Sequence, residues 1–176
     1  CNAGSMDWNL TFDRAVDAAP SYSHKNVNWT AVSPLTLFSG IIHYDGEEYQ
    51  VVPRSSFGYI DKNWGRDFTS PFFHLCSSNL TSTITGKALQ KSCFVVQGEY
   101  DEKLSVFAEI EDKCIQFDAG SRKNYAITYE CIETPKDEEG VKLHWTVSVH
   151  DRNTVIDIDV FCSTNDMFVR DYESPA

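Results

Sequence analysis

No run in this chain approaches the roughly 18 consecutive apolar residues of a membrane-spanning helix. Basic clusters are missing as well. Lys and Arg number 15 against 26 Asp and Glu, for a formal net charge of -11 and a pI of about 4.7. An acidic surface repels phosphate backbones, which argues against nucleic acid as a partner. No C-x-x-C pair occurs. Apart from Cys1, the cysteines are Cys76, Cys93, Cys114, Cys131 and Cys162. Their odd number and scattered spacing argue against a zinc site and a disulfide framework, and predict buried, reduced thiols. There is no Ser-His-Asp order, phosphate loop or nucleotide fingerprint, so neither cofactor nor metal is expected. Also missing is any helical stripe of about ten residues.

What is present is strand. Hydrophobic residues make up 41% and aromatics 13% of the 176 residues, enough for one domain with a substantial core. Residues 8–14 alternate apolar and polar, and 15–35, with Pro20 and Pro34, form a looser stretch. Asp45-Gly46 joins 36–44 to 47–52 as a hairpin. Residues 70–79 and 91–100 read as strands around a polar loop, 80–90. The segments 104–111 and 114–119 form a close pair. Residues 124–133 and 141–150 flank an acidic turn, and 153–163 is the last strand. There Leu143, Trp145, Val147 and Val149 face one way and His144, Thr146, Ser148 and His150 the other, the mark of an antiparallel sheet wet on one face. About ten strands on short turns predict an all-β, antiparallel up-and-down barrel of the lipocalin type, with an interior wide enough for a ligand. A β-sandwich is the alternative. Residues 1–5 read as a cloning scar, or as a lipoprotein start with Cys1 lipidated. Residues 6–176 read as the single domain.

Chemistry concentrates in Phe57-Gly58-Tyr59-Ile60-Asp61-Lys62-Asn63-Trp64-Gly65-Arg66-Asp67-Phe68, followed by Pro71-Phe72-Phe73-His74-Leu75-Cys76-Ser77-Ser78-Asn79. An acid, a base, an amide and an indole so close together suggest a shaped polar corner or a site. Each residue also has a structural reading. Asp61 and Lys62 suit an ion pair or a turn cap, Asn63 and the glycines suit bends, and Trp64 suits a plug at the barrel base. His74 and Cys76, two positions apart, share a sheet face. His144 and His150 read as polar-face residues and not as metal ligands, and Asp157 and Asp159 as a solvated face. Sequons at Asn9, Asn28 and Asn79 arise readily by chance.

The stretch from Gly40 to Tyr49 with its Asp-Gly turn, then Gly58-Tyr59-Ile60-Asp61-Lys62-Asn63-Trp64-Gly65, then Phe72-Phe73-His74-Leu75-Cys76-Ser77-Ser78-Asn79, resembles the tocopherol cyclase-like family. The Asp-x-Asn-Trp core is also similar to hydroxyneurosporene synthase-like (carotenoid hydratase) proteins and to lipocalin-like pericyclases. The likeness is sharp between about 40 and 80. It implies a lipocalin-like barrel that handles apolar isoprenoid or polyketide substrates. Family members are usually two-lobed, so this chain corresponds to the second lobe, cut from a longer protein or a short relative. The family's segment after the motif is richer in Trp than Phe72-Phe73-His74 here.

Three functions follow as expectations. The first is a noncatalytic module binding a hydrophobic, isoprenoid-type small molecule, or packing against a first lipocalin-like lobe or a second copy. The second is an isoprenoid cyclase or hydratase. In it Asp61 is the general acid, Trp64 and Tyr59 offer π faces to a carbocation, and Asn63 orients a hydroxyl. The third is a structural or protein-interaction lobe with a filled interior. The candidate ligand-binding residues are Tyr59, Asn63, Trp64, Phe73 and His74. Cytoplasmic localisation is expected, with lipoprotein or secreted forms as alternatives.

Overall fold

The strand called for by the alternating pattern dominates the computed structural model, which describes residues 4–24, 27–66, 71–100, 102–119 and 125–168. The chain divides into two compact units, Cys1–Arg122 and Lys123–Ala176. All strand pairs are antiparallel. The helix among the described residues is a short 3-10 turn, Thr164–Asp166.

In the first unit, β1 (Met6–Arg14), β2 (Ser21–His24), β4 (Glu47–Val51) and β5 (Phe57–Gly65) all pair with β3 (Val27–Tyr44). At about 3.3 Å per residue, 18 residues reach at most roughly 60 Å, long enough to take two partners on each side. β2 and then β1 lie along one edge of β3, β5 and then β4 along the other. The expected loose stretch 15–35 is therefore largely strand. Pro34 is tolerated because the β3–β5 register shifts between Ala31 and Ser33 and again between Ser33 and Thr36. Such an irregularity spares the proline a ladder bond it cannot donate. The backbone N–H groups of Ala15 and Val16 donate to the Leu35 carbonyl at 2.9 and 3.3 Å, folding the chain after β1 onto this irregularity.

The second sheet of this unit runs in chain order: β6 (Phe72–Ser77), β7 (Cys93–Glu99), β8 (Leu104–Ile110) and β9 (Lys113–Phe117). Its residues meet those of the first sheet in a shared core, where Tyr22, Trp29 and Ala31 pack with Val95. A second cluster joins Val16 and Leu35 to Cys93 and Phe107. The second unit is a meander of β10 (Ala126–Glu133), β11 (Lys142–His150) and β12 (Val155–Ser163). Here Val147, Val149 and Ile158 are buried on the apolar face, as the period of two predicts. Lys142 pairs with Glu139 and with Asp137 across the acidic turn.

The all-β, antiparallel class matches expectation. No closed barrel is found: among the described residues the pairings make three open sheets. The reason lies in β3, which gathers non-sequential neighbours where an up-and-down barrel links each strand to the next. Among the described residues five thiols are free, and of these Cys93 alone is buried, where burial was expected of all. Cys76 and Cys114 are exposed, and Cys131 and Cys162 half-buried. Burial pushes the Cys93 thiol up to about 12, with the charge of Glu109 adding to it, so it stays protonated and inert. Cys1 and the first residues of the supposed scar lie outside the described residues.

The Asp45-Gly46 hairpin forms as expected, with Asp45 at φ 52° and Gly46 at φ 87°, the left-handed pair such a tight turn requires. Gly40 carries a stricter demand. Its φ is +139°, and a Cβ there would sit 2.1 Å from the Asn9 carbonyl oxygen of the paired β1. Gly40→Ala should lower stability by about 1–3 kcal/mol or more through strain and clash. Gly86→Ala, where a Cβ meets open space, should cost clearly less. Urea unfolding midpoints of the two variants make the comparison.

Candidate functional site

The motif at 57–65 is itself a strand, β5, and not a bend between strands. Its period of two sorts the residues. Tyr59, Asp61 and Asn63 point to one face; Lys62 and Trp64 point to the other, with the Lys62 ammonium 5.9 Å from the Trp64 ring centroid. Asp67 and Phe68 of the same run lie outside the described residues.

On the inner face Asp61 collects donors. It lies opposite Ala31, whose short side chain leaves room for Trp29, the diagonal neighbour on β3. The Trp29 indole N–H is shared between Asp61 Oδ2 at 2.9 Å and the Tyr59 hydroxyl oxygen at 2.8 Å. The Tyr59 hydroxyl donates to the same Oδ2 at 3.2 Å, and the Asn63 amide Nδ2–H donates to it at 3.1 Å. Oδ2 thus acts as an acceptor from three side chains, and a proton placed on it would displace one of them.

The network then crosses to the second sheet. Gln97 Nε2 donates to Asn63 Oδ1 at 2.9 Å, and Gln97 Oε1 meets Nδ1 of His74, its register partner on β6. Because Gln97 spends its N–H on Asn63, its carbonyl oxygen faces His74, so Nδ1 carries the proton. The imidazole lies 5.0 Å from the Tyr59 ring and edge-on to Trp29 at 6.4 Å. Beside this, the Tyr22 hydroxyl donates to Glu99 Oε2 at 2.6 Å between the two sheets. Ser105 Oγ donates to the Ser21 carbonyl at 2.6 Å.

Burial decides what these groups can do. Trp29 and Gln97 are each 1% exposed and Glu99 2%. The Tyr59 phenol is held well above its ordinary range, first by burial and then by the Asp61 charge. Tyr22 is raised likewise by burial and by its bond to Glu99. Partial burial, with Asp61 behind it, raises the Cys76 thiol. Asn63 and His74 at the ends of the network are exposed, so the cluster gathers hydrogen-bond donors around Asp61 with a buried middle and open ends.

Of the expected site residues, the structure brings Tyr59, Asp61, Asn63 and His74 together. It separates Trp64, 45% exposed on the opposite face of β5, and Phe73, whose ring lies 6.4 Å from that of Tyr100. Strand alternation is the reason in both cases. Sequence reasoning missed Trp29, hidden in a stretch read as irregular. It also missed Gln97, although a lone amide inside the apolar run Cys93–Glu99 is a usable signal. In the second unit, His144 bonds Asp159 at 2.8 Å and stacks on Phe161 at 4.1 Å. No group of three or more His, Cys, Asp or Glu able to hold a metal occurs among the described residues.

Among the described residues, two cavities stand out by size. One, near 550 Å³, lies over the polar face of β10–β12, against Glu130, Asp157 and Asp159. The other, near 460 Å³, lies in the first unit, where Leu35, Leu37, Phe57 and Leu89 line it. Comparison with protein-family models, curated proteins and solved structures finds no match.

Two outcomes follow for this cluster. Trp29→Ala should cost about 3–5 kcal/mol, as for a fully buried indole. Trp64→Ala should cost about 1 kcal/mol or less, the worth of an exposed cation–π contact. Denaturant unfolding of both reads the difference. Stability should also depend on alkaline pH. Tyr59 and Tyr22 have folded pKa values above the unfolded value, so their contribution is complete below about pH 10 and is lost as pH rises beyond it. The fall in unfolding free energy above about pH 10 should be shallower in Tyr59→Phe than in the parent protein.

Proposed function

We propose that this chain is a noncatalytic, lipocalin-like module that binds a hydrophobic small molecule. The observation that carries the reading is the cavity near 460 Å³ with Leu35, Leu37, Phe57 and Leu89 in its wall. Its size falls within the roughly 300–1,000 Å³ of small-molecule sites, and its wall is mixed, the apolar side chains facing the polar Arg54, Ser78, Asn79, Gln90 and Lys91. Leu35 and Phe57 also touch the core, so the wall is anchored from behind. Sequential pairing in β6–β9 and in β10–β12 is the wiring that up-and-down barrels use, which supports the lipocalin-like relation. An isoprenoid ligand is what the resemblance to the tocopherol cyclase-like family suggests.

The enzymatic alternative needs Asp61 as a proton donor. Three donors on Oδ2 favour the acceptor role, so the binding reading is preferred. Packing against a partner lobe or a second copy has its own support. The outer stretch of β1, β3 and β4 aligns Trp8 with Ile42 and Tyr49 on one face. There Trp8 is 63% and Phe12 55% exposed, and exposed apolar patches mark interaction surfaces.

Nile red, a neutral apolar dye, tests the reading. Saturable one-to-one binding with blue-shifted emission, displaced by an isoprenoid alcohol, is expected. Leu37→Glu should weaken it about tenfold or more, since a carboxylate in an apolar wall opposes burial. Trp8→Asp should leave it unchanged. Loss of binding on Trp8→Asp with none on Leu37→Glu would move the ligand to the exposed face and defeat the cavity assignment.

A further inference from the structure

The same cavity has a second character. Arg54 and Lys91 line it together with the amides of Asn79 and Gln90, and no Asp or Glu does. In a chain of net charge -11, with 26 acidic residues to 15 basic ones, such a wall departs from the surrounding field. The contrast with the other cavity, lined by Glu130, Asp157 and Asp159, is direct. Neither Arg54 nor Lys91 forms an ion pair among the described residues, although Arg14, Lys142, His43 and His144 all do. Lys91 is further held at φ 52°, in the left-handed region that a lysine seldom adopts. Arg54 sits on a turn closed by the N–H groups of Ser55 and Ser56 donating to the Val52 carbonyl at 3.1 and 2.9 Å.

We infer that the cavity takes a single-chain amphiphile with an anionic head, a long-chain carboxylate, its tail along Leu35, Leu37, Phe57 and Leu89 and its head between Arg54 and Lys91. The inference rests on the reading of the chain as a hydrophobic-ligand binder and adds the head group to it. The chemistry is complementary. A guanidinium presents a fork that matches a carboxylate, and an ammonium adds a mobile point charge. Both cations are exposed, so head-group recognition is screened by salt while tail burial is not. A neutral head offers these residues only an uncharged acceptor, a weaker partner than a carboxylate, and a cationic head repels them.

The test compares three twelve-carbon probes below their micelle concentrations: dodecanoate, methyl dodecanoate and dodecyltrimethylammonium, each displacing Nile red from the full chain. Dodecanoate should bind about tenfold or more tighter than its ester, the size of a charge-assisted hydrogen bond, and the ammonium probe weakest. The advantage of the acid over the ester should shrink as salt is raised from low to near-molar concentration. In Arg54→Gln/Lys91→Gln the acid should fall to the affinity of the ester, with ester binding unchanged. On the unaltered protein, dodecanoate should shift the side-chain nitrogen signals of Arg54 and Lys91 in NMR, which reads the contact without any substitution. Equal affinity of acid and ester, with those signals unmoved, overturns the anionic-head assignment and leaves the binding module standing. Failure of all three probes together with Nile red overturns the binding module itself, and this inference with it.

Discussion

Every strand of the five-stranded sheet is paired through Val27–Tyr44, and the rest of the first unit depends on that one long strand. Its first half carries Trp29 and Ala31, which face the second sheet and set the place of Asp61 through register. Its second half runs out between β1 and β4 as a ribbon whose one face is aromatic and whose other face is acidic. On the acidic face His43 bridges Asp7 and Glu48 at 2.9 and 3.4 Å. The irregularity at Ser33–Thr36 lets one strand serve both halves. It absorbs Pro34 and offers the Leu35 carbonyl to the returning chain.

Between the sheets runs a polar network that is buried at Trp29 and Gln97 and reaches the surface at Asn63 and His74. Burying amides, phenols and carboxylates is tolerable only when their bonds are made. Here Trp29, Tyr59, Asn63, Gln97 and His74 share one connected set ending on Asp61. Such a set orients the side chains that share it. The cavity of the first unit lies elsewhere, lined by residues of β3, β5 and the loops around 53 and 89.

Much of this was legible from residues alone. Alternation placed β10, β11 and β12 and sorted the faces of β11 and β12, because a period of two with polar residues opposite admits little else. Asp45-Gly46 announced its hairpin. Tyr59, Asp61, Asn63 and His74 stood out by composition, and the strand period explains why they converge while Trp64 does not. What stayed hidden depended on distance along the chain. Trp29 lies 32 positions from Asp61, and Gln97 lies 34 from Asn63. No local pattern encodes a meeting of that kind. Pro34 disguised β3 because a proline normally ends or edges a strand. The cavity was invisible for the same reason: Leu35, Arg54 and Lys91 have no common motif and meet only in space.

The hydrogen bonds of the Asp61 chain run one way, with the Gln97–Asn63 bond crossing between the sheets. His74 donates to Gln97, Gln97 to Asn63, and Asn63 to Asp61. Dipoles aligned head to tail reinforce one another, and the negative charge at the end sets their direction. This polarity doubles as a catch against sliding. Moving β7 by one pleat would bring Val95 or Glu99 into the place of Gln97, and neither side chain has an N–H to give. The two layers are therefore held in one lateral alignment by the direction of their protons, where greasy surfaces alone would let them slip.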